Sequence, residues 1–256
     1  MNMIVDAHTH LFPPGMDKVG TAEMLLAEMD ACGVDKAVIL GIYPRVPNEF
    51  IAEQAQVHPD RFIGFASVNP NDGQAAVDLL DRCVQEFGAR GLKLHPTMQH
   101  FRADDAALLA PLMRKVEALN IPVLMHSWGW FGEDGEAAPN RVMTLARTFP
   151  SVTFIMAHCG GMRFMDLLPL ARLRRLGQLD NLYVDLAVIL FDLSDSPMWP
   201  FLCWTLESIG LDRVLLGSDF PDYPLADTVR LARRLGLDEQ GMDLVLGGNA
   251  ARLFEL

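Results

Sequence analysis

Eight short apolar runs, each followed by a longer amphipathic stretch, constrain this chain more than any other feature. The runs cover residues 3–7, 36–41, 61–68, 90–94, 121–125, 152–157, 182–187 and 213–218. Many are continuous rather than alternating, as in Ala37-Val-Ile-Leu40 and Val214-Leu-Leu-Gly217. A strand buried on both faces needs apolar side chains at every position, and that is the condition of strands in a parallel sheet. Helical spacing marks 21–32, 48–57, 103–119, 139–148, 162–176, 197–209 and 224–235, with one or two short helices in 238–254. The clearest helix follows Asn71-Asp72: Ala76, Leu80, Cys83, Val84 and Phe87 share one face, and Gly88 stands where a left-handed residue can end it. Strand-helix units spaced by roughly 30 residues build either a closed barrel or a doubly wound sheet. No G-x-G-x-x-G or G-x-x-x-x-G-K follows the first run, which removes the main support for a nucleotide-binding sheet. A length of 256 residues, half of them hydrophobic, suits one barrel. The expected fold is a single-domain (β/α)8 TIM barrel over residues 1–256.

Barrel chemistry sits at the C-terminal ends of the strands. There this chain places His8 and His10 after the first run, His126 after Val123-Leu-Met, His158 after Phe154-Ile-Met-Ala, and Asp219 after the last run. His8 and His10 are two apart, so a regular strand projects both from one face, with Asp6 one step deeper as an acceptor for a histidine. Imidazoles and a carboxylate converging from four strands are the donors of a divalent metal site. The plainer alternative is a set of histidines hydrogen-bonded within a polar barrel mouth.

Asp6-Ala-His8-Thr-His10, Gly91-Leu-Lys93-Leu-His95-Pro96, His158-Cys-Gly-Gly161, Gly217-Ser-Asp219-Phe-Pro221 and the terminal Gly248-Asn249-Ala-Ala-Arg252-Leu253-Phe254 resemble the amidohydrolase superfamily. More narrowly they are similar to its amidohydrolase-related branch, which includes aminocarboxymuconate semialdehyde decarboxylase and resorcylate-type decarboxylases. The likeness spans nearly the whole chain and is specific for superfamily, not for substrate. Carried over position by position, it makes His8, His10, His126 and Asp219 the metal ligands. It places His158 against the metal-bound water or the substrate, and Asp219 also becomes the proton shuttle. The implied cofactor is one divalent metal, Zn²⁺ first, with Mn²⁺ or Fe²⁺ also fitting the donors. A two-metal site bridged by a carboxylated Lys93 is the less favoured form.

Four further residues are candidate substrate contacts. Lys93 and His95 are in phase on the fourth strand and could bind a substrate carboxylate; Lys93 could equally pair with an interior acid such as Asp6 or Asp185. Trp128, in the loop Ser127-Trp128-Gly129-Trp130-Phe131-Gly132, could wall a pocket for a planar substrate or simply pack that loop. Arg45 after the second strand, and Arg163 near the sixth helix, are candidate carboxylate clamps or plain surface residues. His58 reads as part of a turn, His100 carries no motif, and Arg172, Arg174 and Arg175 read as a solvated face. Cys159 adjoins His158, but nothing marks its thiol as activated.

A net charge of −12 disfavours nucleic acid and anionic membranes as partners. The four cysteines show no C-x-x-C spacing, and no signal peptide or membrane-length apolar run is present, so a cytoplasmic protein is expected. The expected partner is a small-molecule substrate, and the resemblance allows a homodimer without revealing an interface. Two reactions fit the donor set. We expect hydrolysis of a small, carboxylated ester, lactone or amide by metal-activated water. This ranking rests on the short chain, which leaves little room for the longer loops of the decarboxylases. The alternative is non-oxidative decarboxylation of a small aromatic or unsaturated acid, and a second alternative is a catalytically silent barrel that only binds a metabolite.

Overall fold

A computed structural model describes residues 3–129 and 135–256. Eight parallel strands follow one another in sequence order around a single sheet: β1 Val5–Thr9, β2 Lys36–Leu40, β3 Phe62–Ser67, β4 Leu92–Leu94, β5 Val123–Met125, β6 Phe154–Met156, β7 Leu182–Asp185 and β8 Val214–Leu215. Backbone bonds from Ala7 N–H to Leu216 O (2.8 Å), from Asp219 N–H to His8 O (2.8 Å) and from His10 N–H to Phe220 O (2.8 Å) join the first strand to the last, and the barrel closes. Helices lie between consecutive strands, as the spacing of the runs predicts.

The continuity of the apolar runs has its cause in two buried layers. Inside the barrel, Val5, Ala7, Val38, Leu40, Ile63, Phe65, Leu124, Ile155, Tyr183 and Leu215 pack with Ala250 and Phe254. Outward-facing residues such as Ala37, Ile39, Leu92, Leu94, Phe154, Met156, Val184 and Val214 pack under the helices. The C-terminal helix Asn249–Phe254 therefore stoppers the end of the barrel away from the strand C-termini, with the Phe254 ring edge-on to Phe65 at 5.8 Å.

Local chemistry explains the helix boundaries. The helix Ala106–Leu119 begins after 103 because Asp105 caps it, accepting from Leu108 N–H at 3.0 Å. The stretch expected as one helix over 162–176 splits into a 3₁₀ turn, Phe164–Leu167, and a helix, Leu168–Arg175, at Pro169, which has no N–H to continue the ladder. Residues 239–254 form one helical path through a π-type turn at Leu244–Gly248. The last two strands, Leu182–Asp185 and Val214–Leu215, stop short of the runs 182–187 and 213–218, whose last residues leave the ladder at the barrel mouth. Among the described residues no helix is long and apolar enough to cross a membrane.

Candidate metal centre

A bulge in β1 creates the centre. Asp6 pairs with Ala37 but Thr9 pairs with Ile39, so three steps of β1 oppose two of β2. Ala37 and Ile39 belong to the outer layer, whereas Val5 and Ala7 belong to the inner one. Aligned residues of parallel strands share a face, so Asp6 and Thr9 face outward and the bulge turns His8 and His10 inward after Ala7. Strict alternation would place Asp6 beside both histidines, and the structure corrects that expectation. Asp6 instead holds backbone: its Oδ1 accepts from His8 N–H at 3.1 Å and Ser218 N–H at 3.0 Å. Burial pushes the Asp6 carboxyl up to about 7, against those hydrogen bonds.

His8 Nε2 and His10 Nε2 lie 3.3 and 3.1 Å from Asp219 Oδ1. The ligating atoms of these three residues all fall within 4.8 Å of one another, a spacing that could hold a metal ion. His10 Nδ1 is buried and has no hydrogen-bond partner among the described residues. Three N and O donors, the two histidines buried and Asp219 partly so, converge on one point and fit a divalent cation. Burial works against charge on Asp219, but the His10 hydrogen bond and the neighbouring rings outweigh it and hold the carboxyl well below its usual range. Burial, aided by the nearby Lys93 charge, keeps His8 well below the usual imidazole range, as a neutral ligand must be.

The other candidates surround this triad at different distances. His126 stands apart from it: its Nδ1 is 3.2 Å from His158 Nε2, and its ring stacks on His95 with centroids 3.8 Å apart. Burial drives His158 down to about 4 and His95 to about 3. Lys93 is buried, with Nζ 3.3 Å from His8 Nε2, and forms no ion pair with Asp6 or Asp185 among the described residues. Desolvation lowers this lysine to about 8. Trp128 is half-buried, 5.8 Å from the His158 ring, on a two-residue strand that pairs with Gly160–Gly161 above the barrel. A Cβ on Gly161 would come within 2.7 Å of the Trp128 ring, which explains why glycine stands there. Trp130, Phe131 and Gly132 lie outside the described residues.

Arg45 leaves the centre and pairs with Asp17 at 2.9 Å on the surface. Arg163 pairs with Asp166. His58 shapes its turn through its carbonyl, which accepts from Arg61 and Phe62 N–H groups, and His100 is exposed at a helix end with φ 56°. Arg174 is not solvated as expected; it binds Asp212 at 2.9 Å and carries side-chain exposure of only 16%.

Asp185, expected only as an interior acid for Lys93, instead reaches the centre through His8. It is fully buried at the end of β7, and its Oδ2 accepts from His8 Nδ1 at 2.9 Å. The signal was present: Leu182-Tyr-Val-Asp185 ends in a carboxylate as the last run ends in Asp219. Asp219, His158 and Val188 at the mouth of the barrel also hold positive φ of 64°, 59° and 64°.

The sequence pattern of the family described as Amidohydrolase matches residues 5–256. The chain belongs to that family. It is 25% identical over 248 residues to a gamma-resorcylate decarboxylase of Polaromonas sp. (strain JS666), covering 83% of this chain and 76% of that one. Over 87 residues it is 30% identical to the 2-amino-3-carboxymuconate-6-semialdehyde decarboxylase of Dictyostelium discoideum, 34% of this chain and 24% of the other. The structure of a dihydroxybenzoic acid decarboxylase from Polaromonas sp. JS666, with bound manganese and the inhibitor 2-nitroresorcinol, superposes with a TM-score of 0.76 at 19% identity, covering 100% of this chain and 98% of that one. These relatives place the amidohydrolase in the branch that its motifs resemble, and they overturn the expected hydrolysis. The length argument behind that expectation gives way to the sequence match to a decarboxylase, which takes in 83% of this chain.

Proposed function

We propose that this amidohydrolase is a metal-dependent non-oxidative decarboxylase of a small aromatic or unsaturated carboxylic acid. The observation that carries the proposal is the 248-residue match to a resorcylate decarboxylase in a chain whose His8, His10 and Asp219 donors converge. His8, His10 and Asp219 would hold one divalent cation, with His126 entering as a fourth donor. Manganese is the first ion to test, because a structural neighbour binds it. The bound cation would supply Lewis acidity that orients the acid and stabilises negative charge on its oxygen atoms.

The remaining work falls to the chain's own groups. Asp219, ionised and aimed by His10, takes up a proton from solvent and passes it to the carbon that bears the carboxylate. That carbon gains hydrogen, its bond to the carboxylate carbon breaks, and carbon dioxide leaves with no change of oxidation state elsewhere. His95, neutral, offers a hydrogen bond without competing for the metal as a cation, and neutral His158 holds the His126 ring in place. Trp128 would lie along one side of a planar ring. The test is to load the protein with Mn²⁺, supply 2,6-dihydroxybenzoate and a panel of hydroxylated benzoic and enoic acids, and measure carbon dioxide. Release that requires the metal supports the proposal. No release from any acid in the panel overturns it.

A further inference from the structure

We propose that Asp185 is a positioning residue: with the backbone that follows it, it fixes which nitrogen of the surrounding histidines carries the proton, and so which nitrogen is open to the metal. The proposal rests on the metal reading above. Both Asp185 oxygens are occupied. Oδ2 accepts from His8 Nδ1 at 2.9 Å, while Oδ1 accepts from His158 N–H at 2.8 Å and Ala187 N–H at 3.1 Å. Burial raises the Asp185 carboxyl, and the two backbone donors on Oδ1 oppose that shift and favour the ionised form, which can only accept. The proton of His8 therefore sits on Nδ1. Its Nε2 keeps a lone pair, and that is the atom facing Asp219 at 3.3 Å and Lys93 at 3.3 Å.

The chain after Asp185 extends the same control to two more rings. His158 Nδ1 lies 3.2 Å from the Ala187 carbonyl, which also only accepts, so the His158 proton is on Nδ1. A neutral His158 then has an accepting Nε2, 3.2 Å from His126 Nδ1. His126 must donate from Nδ1, and its Nε2 keeps the lone pair. One strand end thus leaves Nε2 unprotonated on both His8 and His126, although the two rings come from β1 and the end of β5. The bonds to His158 N–H and Ala187 N–H also brace a segment holding positive φ at His158 and Val188. A carboxylate kept only for packing would have no need of ring acceptor geometry.

Asp185→Asn separates these roles. The amide has nearly the same shape, and its oxygen can still accept from both backbone groups. Its NH₂ faces His8 Nδ1 and drives the His8 proton to Nε2, where it blocks the metal. We expect Mn²⁺ affinity of the full chain, by equilibrium dialysis, to fall about 10–100-fold. Nitrogen-15 spectra of the histidine-labelled, metal-free wild type should show Nδ1–H on His8, His126 and His158, and the variant should move the His8 proton to Nε2. A variant that binds Mn²⁺ within about threefold of wild type, or a wild type with the His8 proton on Nε2, overturns the proposal. If the variant does not fold, the wild-type spectrum decides alone. A wild type that binds no Mn²⁺ overturns the metal reading instead, by an observation separate from the tautomers.

Discussion

Asp219 meets three demands at once: it closes the triad with His8 and His10, it stays ionised despite burial, and its strained φ of 64° turns the carboxylate into the barrel mouth. Asp219→Asn keeps the shape and a hydrogen-bond acceptor for His10 but loses the group proposed to carry the proton. Carbon dioxide release should fall by a factor of about 10²–10⁴ with the circular dichroism spectrum unchanged. Full activity in that variant would refute the assignment. Cys159 makes the opposite case. Its thiol adjoins His158 in sequence, yet it is fully buried, and burial raises it well above the usual thiol range. Iodoacetamide should therefore label Cys159 only after unfolding, as mass spectrometry of the digested protein would show; rapid labelling of the native chain would contradict this.

At the scale of elements, the Asp104 carboxylate ties the segment after β4 to the helix Pro139–Thr148. It accepts from Arg102 at 3.0 Å and from Arg141 at 2.9 Å. The Arg102 hydrogen bonds, with the Arg141 charge, hold Asp104 below the usual carboxylate range. A carboxyl depressed on folding stabilises the protein above its unfolded pKa, and that contribution disappears as pH falls through the folded value. Asp104→Asn should thus cost about 1 kcal/mol at pH 7, allowing for partial exposure and salt screening. In thermal melts, the gap between variant and wild type should narrow as pH is lowered through and below about 4. A gap that stays constant with pH would remove the carboxylate from the account. Most elements were legible in the sequence, since a run of Ala37-Val-Ile-Leu40 can be satisfied only between two apolar layers. The bulge was not legible: Asp6-Ala-His8-Thr-His10 reads equally well as a regular strand, and only pairing with β2 shows the extra residue.

Across the whole molecule, the two ends of the barrel have separate tasks, chemistry at the strand C-termini and closure at the other end by the helix Asn249–Phe254. Phe254→Ala removes a buried ring packed on Phe65 and should cost about 3–5 kcal/mol in urea unfolding. Because that ring lies at the far end, Mn²⁺ affinity of the folded variant should match the wild type; a large loss in affinity would show that the ends are coupled.

The sequence alone determined the barrel, the family and the strand-end residues from which the centre is drawn, because burial periodicity and donor chemistry are local properties of a chain. It left hydrolysis and decarboxylation open, since the same His8, His10 and Asp219 serve both reactions, and the comparison with relatives reversed that ranking. Tertiary structure alone decided which of those residues meet. It brought Asp185 to His8 across 177 positions, sent Arg45 to Asp17 on the surface and set His126 against His158. The physical reason is that a ring's partners are fixed by the register and closure of eight strands, and no local pattern carries that register.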